Sequence, residues 1–252
     1  MDTFGRSAWA QKAFSNNYLE KADIYIPERR NMISMFSSLL TFFYAGRYDI
    51  RVLDLGCGDG VLTGELLRKS NVLGKSSGMS LVPTLADGSE SMLQKAGERL
   101  KAYQHIAYVH ASFHELIRGS SGRAALGMFD LCMSSHAIHH LEMKDKTALF
   151  RFIFEHLHKD GRFINADVVL PPSEGLEAWY IAQWKEIMQA VMDQTGLSDE
   201  SPDDVVKRYK DPSSMNRPDT LEDQVTALKE AGFREVDCYF KNGIFAVFGG
   251  KK

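Results

Sequence analysis

The sequence predicts an α/β fold. Three observations carry this: short apolar runs alternate with longer stretches of helical period, a strand-like run at Arg51–Leu55 opens directly into glycines and a helix, and the last two strand-like runs meet at Asn242-Gly243. Alternation of this kind favours a parallel sheet with helices packed on it. The final dipeptide favours a tight hairpin, because both residues tolerate positive φ, so the sheet is expected to end in an antiparallel pair.

The elements follow in order. Residues 1–45 read as helical and aromatic, with Pro27 opening a helix on which Ile33, Phe36, Leu39, Leu40 and Phe43 recur at helical spacing before Gly46. Arg51–Leu55 is a buried strand, followed by a helix from Leu62 to Lys69. A second strand spans Val82–Ala86. The next helix spans Ser89–Ala102, with Met92, Leu93, Ala96 and Leu100 on one face. Ile106–Val109 and Phe129–Met133 read as strands three and four, Thr147–Leu157 as a helix ended at Asp160-Gly161, and Arg162–Val169 as strand five. After Pro171-Pro172, residues 174–195 form an amphipathic helix. Residues 197–219, with Pro202, Pro212 and Pro218, read as a loop or short-helix insertion. A helix from Leu221 to Ala231, closed by Gly232, precedes strands at Glu235–Phe240 and Ile244–Phe248.

The 252 residues suit one domain with an insertion. With 44% hydrophobic and 25% charged residues the chain can bury a core. A net charge of −3 argues against binding nucleic acid mainly through phosphates. No apolar run reaches the roughly 18 residues that would span a membrane, and residues 1–10 do not read as a signal peptide. Cys57, Cys132 and Cys238 form no CxxC, which favours a reducing, cytoplasmic setting.

The strongest chemical signal is Asp54-Leu55-Gly56-Cys57-Gly58-Asp59-Gly60. Glycines at a strand end let backbone approach a ligand. Yet the spacing is GxGxG, with Val61 where a dinucleotide fingerprint has its third glycine, and no Lys-Ser/Thr follows as in a P-loop. Asp54 and Asp59 would oppose a pyrophosphate and suit an ammonium or sulfonium. The competing account is a plain tight turn with Asp54 capping the helix. A second signal, Asp87-Gly88-Ser89-Glu90-Ser91-Met92, follows the second strand, where a carboxylate can accept both hydrogen bonds of a ribose diol. The alternative is that Asp87 or Ser89 only caps a helix.

These segments resemble the class I S-adenosylmethionine-dependent methyltransferases, near the small-molecule branch. The likeness extends to Phe129–Leu141, to Leu157–Phe163 and to Phe245–Gly250, covering about residues 46–170 and 220–250. It implies a three-layer, Rossmann-like, seven-stranded sheet, mostly parallel with an antiparallel last strand. The core would occupy about 46–170 and 220–250 of a single domain, with a helical cap at 1–45 and a helical lid at 171–219. It also implies S-adenosylmethionine as methyl donor and S-adenosylhomocysteine as product. The methionine part would lie over Asp54, Leu55, Gly56, Cys57 and Gly58, and the ribose on Asp87. Gly88 and Met92 would flank the adenine. Ser112 stands where the family often has an acidic residue for the adenine amino group, and the Phe113 amide is nearby. Ser134 and Ser135 would pass the sulfonium.

Other residues stay open between two roles. Tyr18 and Tyr25 could cover the cofactor and Arg29 or Arg30 pair with its carboxylate, or both arginines could lie on a solvated helix face. Trp179, Tyr180 and Trp184, with Met188, could line an acceptor pocket or merely pack the insertion. His139 or His140 could be a base or an orienter of substrate, or a packed histidine. His136, His139 and His140 lack a nearby carboxylate or thiol to complete a metal set, so no metal is expected. The cysteines read as small core residues. The expected activity is methyl transfer to a small-molecule acceptor. The rivals are methylation of RNA or protein, a non-catalytic binder of the same cofactor, and a nicotinamide oxidoreductase. The acceptor, the methylated atom and the oligomeric state are not legible.

Overall fold

In a computed structural model the chain is described over residues 21–77, 79–119, 126–196 and 200–252. Seven strands form one sheet: β1 Ile50–Leu55, β2 Leu81–Asp87, β3 Ala107–His110, β4 Phe129–Ser135, β5 Leu157–Val168, β6 Arg234–Asn242 and β7 Phe245–Lys251. Their order is β3-β2-β1-β4-β5-β7-β6. Strands β1 to β5 are parallel, and β7 runs antiparallel between β5 and β6. The α-helices of six or more described residues are α1 Arg29–Phe43, α2 Val61–Ser77, α3 Glu90–Leu100, α4 Phe113–Arg118, α5 Met143–His156, α6 Glu174–Thr195, α7 Pro202–Lys210 and α8 Leu221–Glu230.

Period-two alternation along the strands makes two cores. Val52, Leu131, Met133, Ile164 and Val247 face the layer that holds Phe36 of α1, Leu66 of α2, Ala96 of α3 and Met188 of α6. Leu53, Cys132, Phe163, Ala246 and Phe248 face Leu116 of α4, Phe150 and Ile153 of α5 and Leu228 of α8. Successive side chains point to opposite faces, so both faces of the sheet are covered, as a buried parallel sheet requires. At Gly249 a Cβ would stand 2.0 Å from the Phe163 carbonyl oxygen, so β5 and β7 approach only because that position has no side chain.

Several elements differ from expectation. Pro27 does not open α1; the helix begins at Arg29, after Glu28 at φ 64°. Helix α2 runs to Ser77, well past Lys69, and α5 starts at Met143 rather than Thr147. The polar stretch after 197 contains a real helix. Ser201 and Asp204 exchange capping bonds, Pro202 sits in its first turn, and Val205 and Val206 are buried. Nine residues with two apolar anchors give too little periodicity to stand out. The closing hairpin turns one residue later than Asn242-Gly243. Asn242 still pairs with Phe245, and Gly243 takes φ 56° while Asn242 remains in β6.

In a sheet of this order the chain runs outward from β1 through β2 to β3 and then returns to lay β4 on the other side of β1, so the connections diverge between β1 and β4. The crevice at the carboxyl ends of β1 and β4 is therefore the expected ligand position.

Candidate functional site

Two adjoining cavities open at that crevice. The first holds about 180 Å³ and the second about 260 Å³. Ile26, His136 and His140 border both.

The first cavity is built from strand ends. Asp54 is 1% exposed and accepts a 2.6 Å hydrogen bond from Thr63 Oγ1. Burial pushes its carboxyl up to about 7; the Thr63 bond works against this, while Asp87 and Asp59 add to it. A cation placed here would relieve the repulsion and hold Asp54 ionised. Gly56 and Gly58 both have positive φ. At Gly56 a Cβ would meet the Ala137 Cβ at 2.4 Å and the Phe113 ring at 3.1 Å. At Gly58 it would meet nothing within 4 Å. The amides of Gly56 and Cys57 donate to the Ala86 carbonyl oxygen at 2.8 and 3.2 Å.

Asp87 ties the loop to β2. Its Oδ2 accepts from Gly58 N at 2.9 Å and its Oδ1 from Ser89 N at 2.8 Å. Burial raises this carboxyl, and the two backbone bonds oppose the rise. Each oxygen keeps a lone pair beyond its backbone bond. Asp59 also borders the cavity, but Arg99 pairs with it and donates Nε to its carbonyl oxygen at 3.0 Å. Its charge is thus answered within the protein, which leaves the carboxyls of Asp54 and Asp87 as the pair facing the space.

The structure brings Asp54, Gly56, Cys57, Gly58, Asp87, Gly88, Met92, Ser112, Phe113, Ser135, Arg29 and His140 to this cavity. Burial drives the Cys57 thiol well above its ordinary value, so it stays a neutral wall. Ser112 is committed to α4: its hydroxyl accepts from Glu115 N and donates to Glu115 Oε2. Arg29 reaches the cavity while bonded to Asp23 at 2.7 Å.

Other expected residues stand elsewhere. Leu55 is fully buried among the residues beneath the sheet. Ser134, also fully buried, donates to the Leu55 carbonyl at 2.7 Å and so locks β1 to β4 rather than lining the cavity. Arg30 has a side chain 90% exposed; it sits on the solvated face of α1. Tyr18 lies outside the described residues. Tyr25 borders the second cavity, not the first. Trp179 is 59% exposed, stacked near Tyr180, so it lines no acceptor space. Tyr180 borders only a shallow hollow with Pro27 and Gly243.

The second cavity is assembled from distant segments. Trp184 lines it, donating Nε1 to the Tyr25 carbonyl at 2.9 Å. Tyr209 and Phe245 flank Trp184 edge-on at 5.5 and 5.7 Å. Arg208 pairs with Glu200, which also accepts from Tyr25 Oη at 2.7 Å. His139 lines this cavity alone. Asp167 accepts from its Nδ1 at 2.5 Å and from its backbone N at 2.9 Å. Burial would raise Asp167, but the His139 imidazole, His136 and the Val168 amide together outweigh it and the carboxyl lies at about 2. His140 is pushed down to about 3, chiefly by burial. Arg208, Tyr209, Met215 and Asn216 carry no signal in the sequence, and His136 stands out there only within the run of histidines weighed as a metal set. Among the described residues no group of three or more His, Cys, Asp or Glu could hold a metal ion.

Comparison with known proteins bears on this arrangement. Residues 52–161 match a family model described as "Methyltransferase domain". A carboxy-S-adenosyl-L-methionine synthase of Nautilia profundicola is 22% identical over 79% of this chain and 75% of its own. An O-methyltransferase family protein from Burkholderia thailandensis superposes with a TM-score of 0.65 at 13% identity, covering 98% of this chain and 62% of that one. The structure described as "PigF with SAH" superposes at 0.56 with 15% identity, over 95% of this chain and 58% of that one. The chain thus spans about three fifths of those two solved chains. Residues 52–161 thus resemble a methyltransferase domain, and the fold is that of the class I S-adenosylmethionine-dependent methyltransferases.

Proposed function

We propose, from the likeness of residues 52–161 to a methyltransferase domain, that this chain moves the methyl group of S-adenosylmethionine to a small-molecule acceptor held in the second cavity. The observation that carries this reading is the wall of Ile26, His136 and His140 shared by the two spaces. A donor in one and an acceptor in the other would meet there.

The first cavity fits the donor by its chemistry. Asp54 answers the amino-acid end, with Arg29 near its carboxylate. Asp87 accepts from the ribose hydroxyls. Gly88, Met92 and Phe113 flank the base, and Ser112 contributes an edge rather than a dedicated acceptor. When bound, the donor supplies a methyl group already made electrophilic by its sulfonium. The chain's own task is to align, to exclude water and to receive one proton. Alignment of reactants alone can contribute much of the rate. His139 is the group arranged for the proton: Asp167 takes its Nδ1–H, orients the ring and stabilises a positive charge on it, leaving Nε2 for the acceptor.

The cap and the 171–219 segment, through Tyr25, Trp184 and Arg208, supply the acceptor side. A small acceptor is favoured over nucleic acid by the net charge of −3. Three free thiols, two of them buried, support a cytoplasmic setting, and no described helix is long and apolar enough to cross a membrane. The curated relatives are named for making carboxy-S-adenosyl-L-methionine, a derivative of the same nucleoside. That supports the donor cavity; the acceptor is read from this chain's second cavity.

The test is incubation with methyl-labelled S-adenosylmethionine and a library of phenols, amines, thiols and carbon acids. Label should pass to at least one class, with S-adenosylhomocysteine released, and Asp54→Ala should abolish transfer. Wild-type protein that binds no adenosyl donor would overturn the reading.

A further inference from the structure

The turn from β4 into the His-rich segment contains a buried polar atom that none of the described residues satisfies. His136 lines both cavities, and its Nε2 is buried with no hydrogen-bond partner among the described residues. The rest of the residue is tightly held. Its backbone N donates to the Ala166 carbonyl at 2.8 Å, its Nδ1 lies 3.0 Å from Ser135 Oγ, and its ring stands 6.2 Å from that of Phe245. Its φ of 52° is left-handed, a conformation a β-carbon makes unfavourable. A strained backbone and an unsatisfied buried nitrogen each cost stability. Both sit in the wall between the two cavities.

Buried polar atoms in native folds are nearly always partnered, so one left without a partner beside a cavity marks a place where a bound polar group would be favoured. Resting on the methyl-transfer reading, we propose that His136 is an acceptor-binding residue whose Nε2 hydrogen-bonds the polar end of a neutral acceptor at the wall shared with the donor cavity. The acceptor class follows: an aromatic or apolar body against Trp184 and Phe245, ending in a hydroxyl or N–H group. Neutrality of His136 suits this position. Burial pushes its imidazole down to about 4, so at neutral pH it sets no positive charge against a sulfonium. Its neighbour His139, oriented by Asp167, then takes the proton, while His136 fixes where the polar end lies.

Phenol and toluene are suitable probes, being alike in shape and different in one hydroxyl. Their affinities are measured on protein loaded with S-adenosylhomocysteine. His136→Phe should lower the phenol-to-toluene affinity ratio roughly tenfold, the worth of one buried hydrogen bond. His136→Gln, which keeps a polar atom at similar reach, should restore much of it. An unchanged ratio in His136→Phe overturns the inference, as does wild-type protein that binds no phenol. If His136→Phe does not fold, imidazole nitrogen resonances of the wild type decide. Phenol should move His136 Nε2 more than toluene does, and equal shifts overturn the proposal. Binding of S-adenosylhomocysteine is measured first. Its absence sinks the methyl-transfer reading, whereas its presence with an unchanged ratio sinks the role of His136 alone.

Discussion

The two cavities are made in different ways. The first takes most of its lining from consecutive strand ends: Asp54 to Gly58 at the end of β1, Asp87 to Met92 at that of β2, Ser112 and Phe113 after β3, and Ser135 closing β4. The second takes Tyr25 from the cap, His139 from the β4 loop, Trp184 from α6, Arg208 and Tyr209 from α7 and Phe245 from β7. One is a property of short sequence motifs on a rigid sheet. The other exists only once a helical segment has docked across the sheet end. The proposed donor side and the proposed acceptor side should therefore fail separately, and mutations can show it.

The largest effect is expected on the acceptor side. Trp184 is buried and bonded to the cap. Trp184→Ala should cost about 3–5 kcal/mol in chemical denaturation and damage methyl transfer, while donor affinity survives in calorimetry. Loss of donor affinity instead would join the two cavities into one unit. On the donor side, Asp54→Ala should weaken S-adenosylmethionine by about 2–5 kcal/mol, because it removes a buried charge partner. Within the same loop Gly56→Val should abolish binding through the Ala137 contact. Gly58→Ala, which meets only backbone strain, should cost about 1–2 kcal/mol.

A smaller effect is the response to pH. Asp54 lies at about 7 in the free protein, and a bound cation would lower it. Donor binding therefore takes up the ionised form and releases a proton where Asp54 is still protonated. Affinity should rise with pH through 7 and level off near 8, falling by up to about tenfold per unit below 7. Calorimetry in buffers of different ionisation enthalpy reads the proton directly. The smallest contrast is between neighbours: Arg29→Ala should weaken the donor modestly, and Arg30→Ala should leave it unchanged.

The same contrast governs what could be read in advance. The α/β alternation, the seven strands and the glycine turn were legible because period-two runs and glycines at a strand end are local signals. Asp54 and Asp87 followed from their place at those ends. Ser134 did not, since neighbouring positions on a strand point to opposite faces, and it faces Leu55 rather than the cavity. Trp179 and Trp184 share one helix, but the former is exposed and the latter buried. Their five-residue spacing puts them on different faces. Arg208 sits in a helix too short to announce itself. His136 could be seen as a histidine, but only the packing of Ser135, Ala166 and Phe245 around it shows a nitrogen left unsatisfied.

The central claim is that the anionic end of β1 receives an adenosyl cation and not a pyrophosphate. Its most direct test is calorimetric titration of wild type and Asp54→Asn at pH 8 with S-adenosylmethionine and, separately, with NADH. The account predicts that the wild type binds S-adenosylmethionine, that the isosteric variant binds it at least tenfold more weakly, and that neither binds NADH. Equal donor affinity in the two proteins, or retention of NADH with the adenosyl donor ignored, would contradict it.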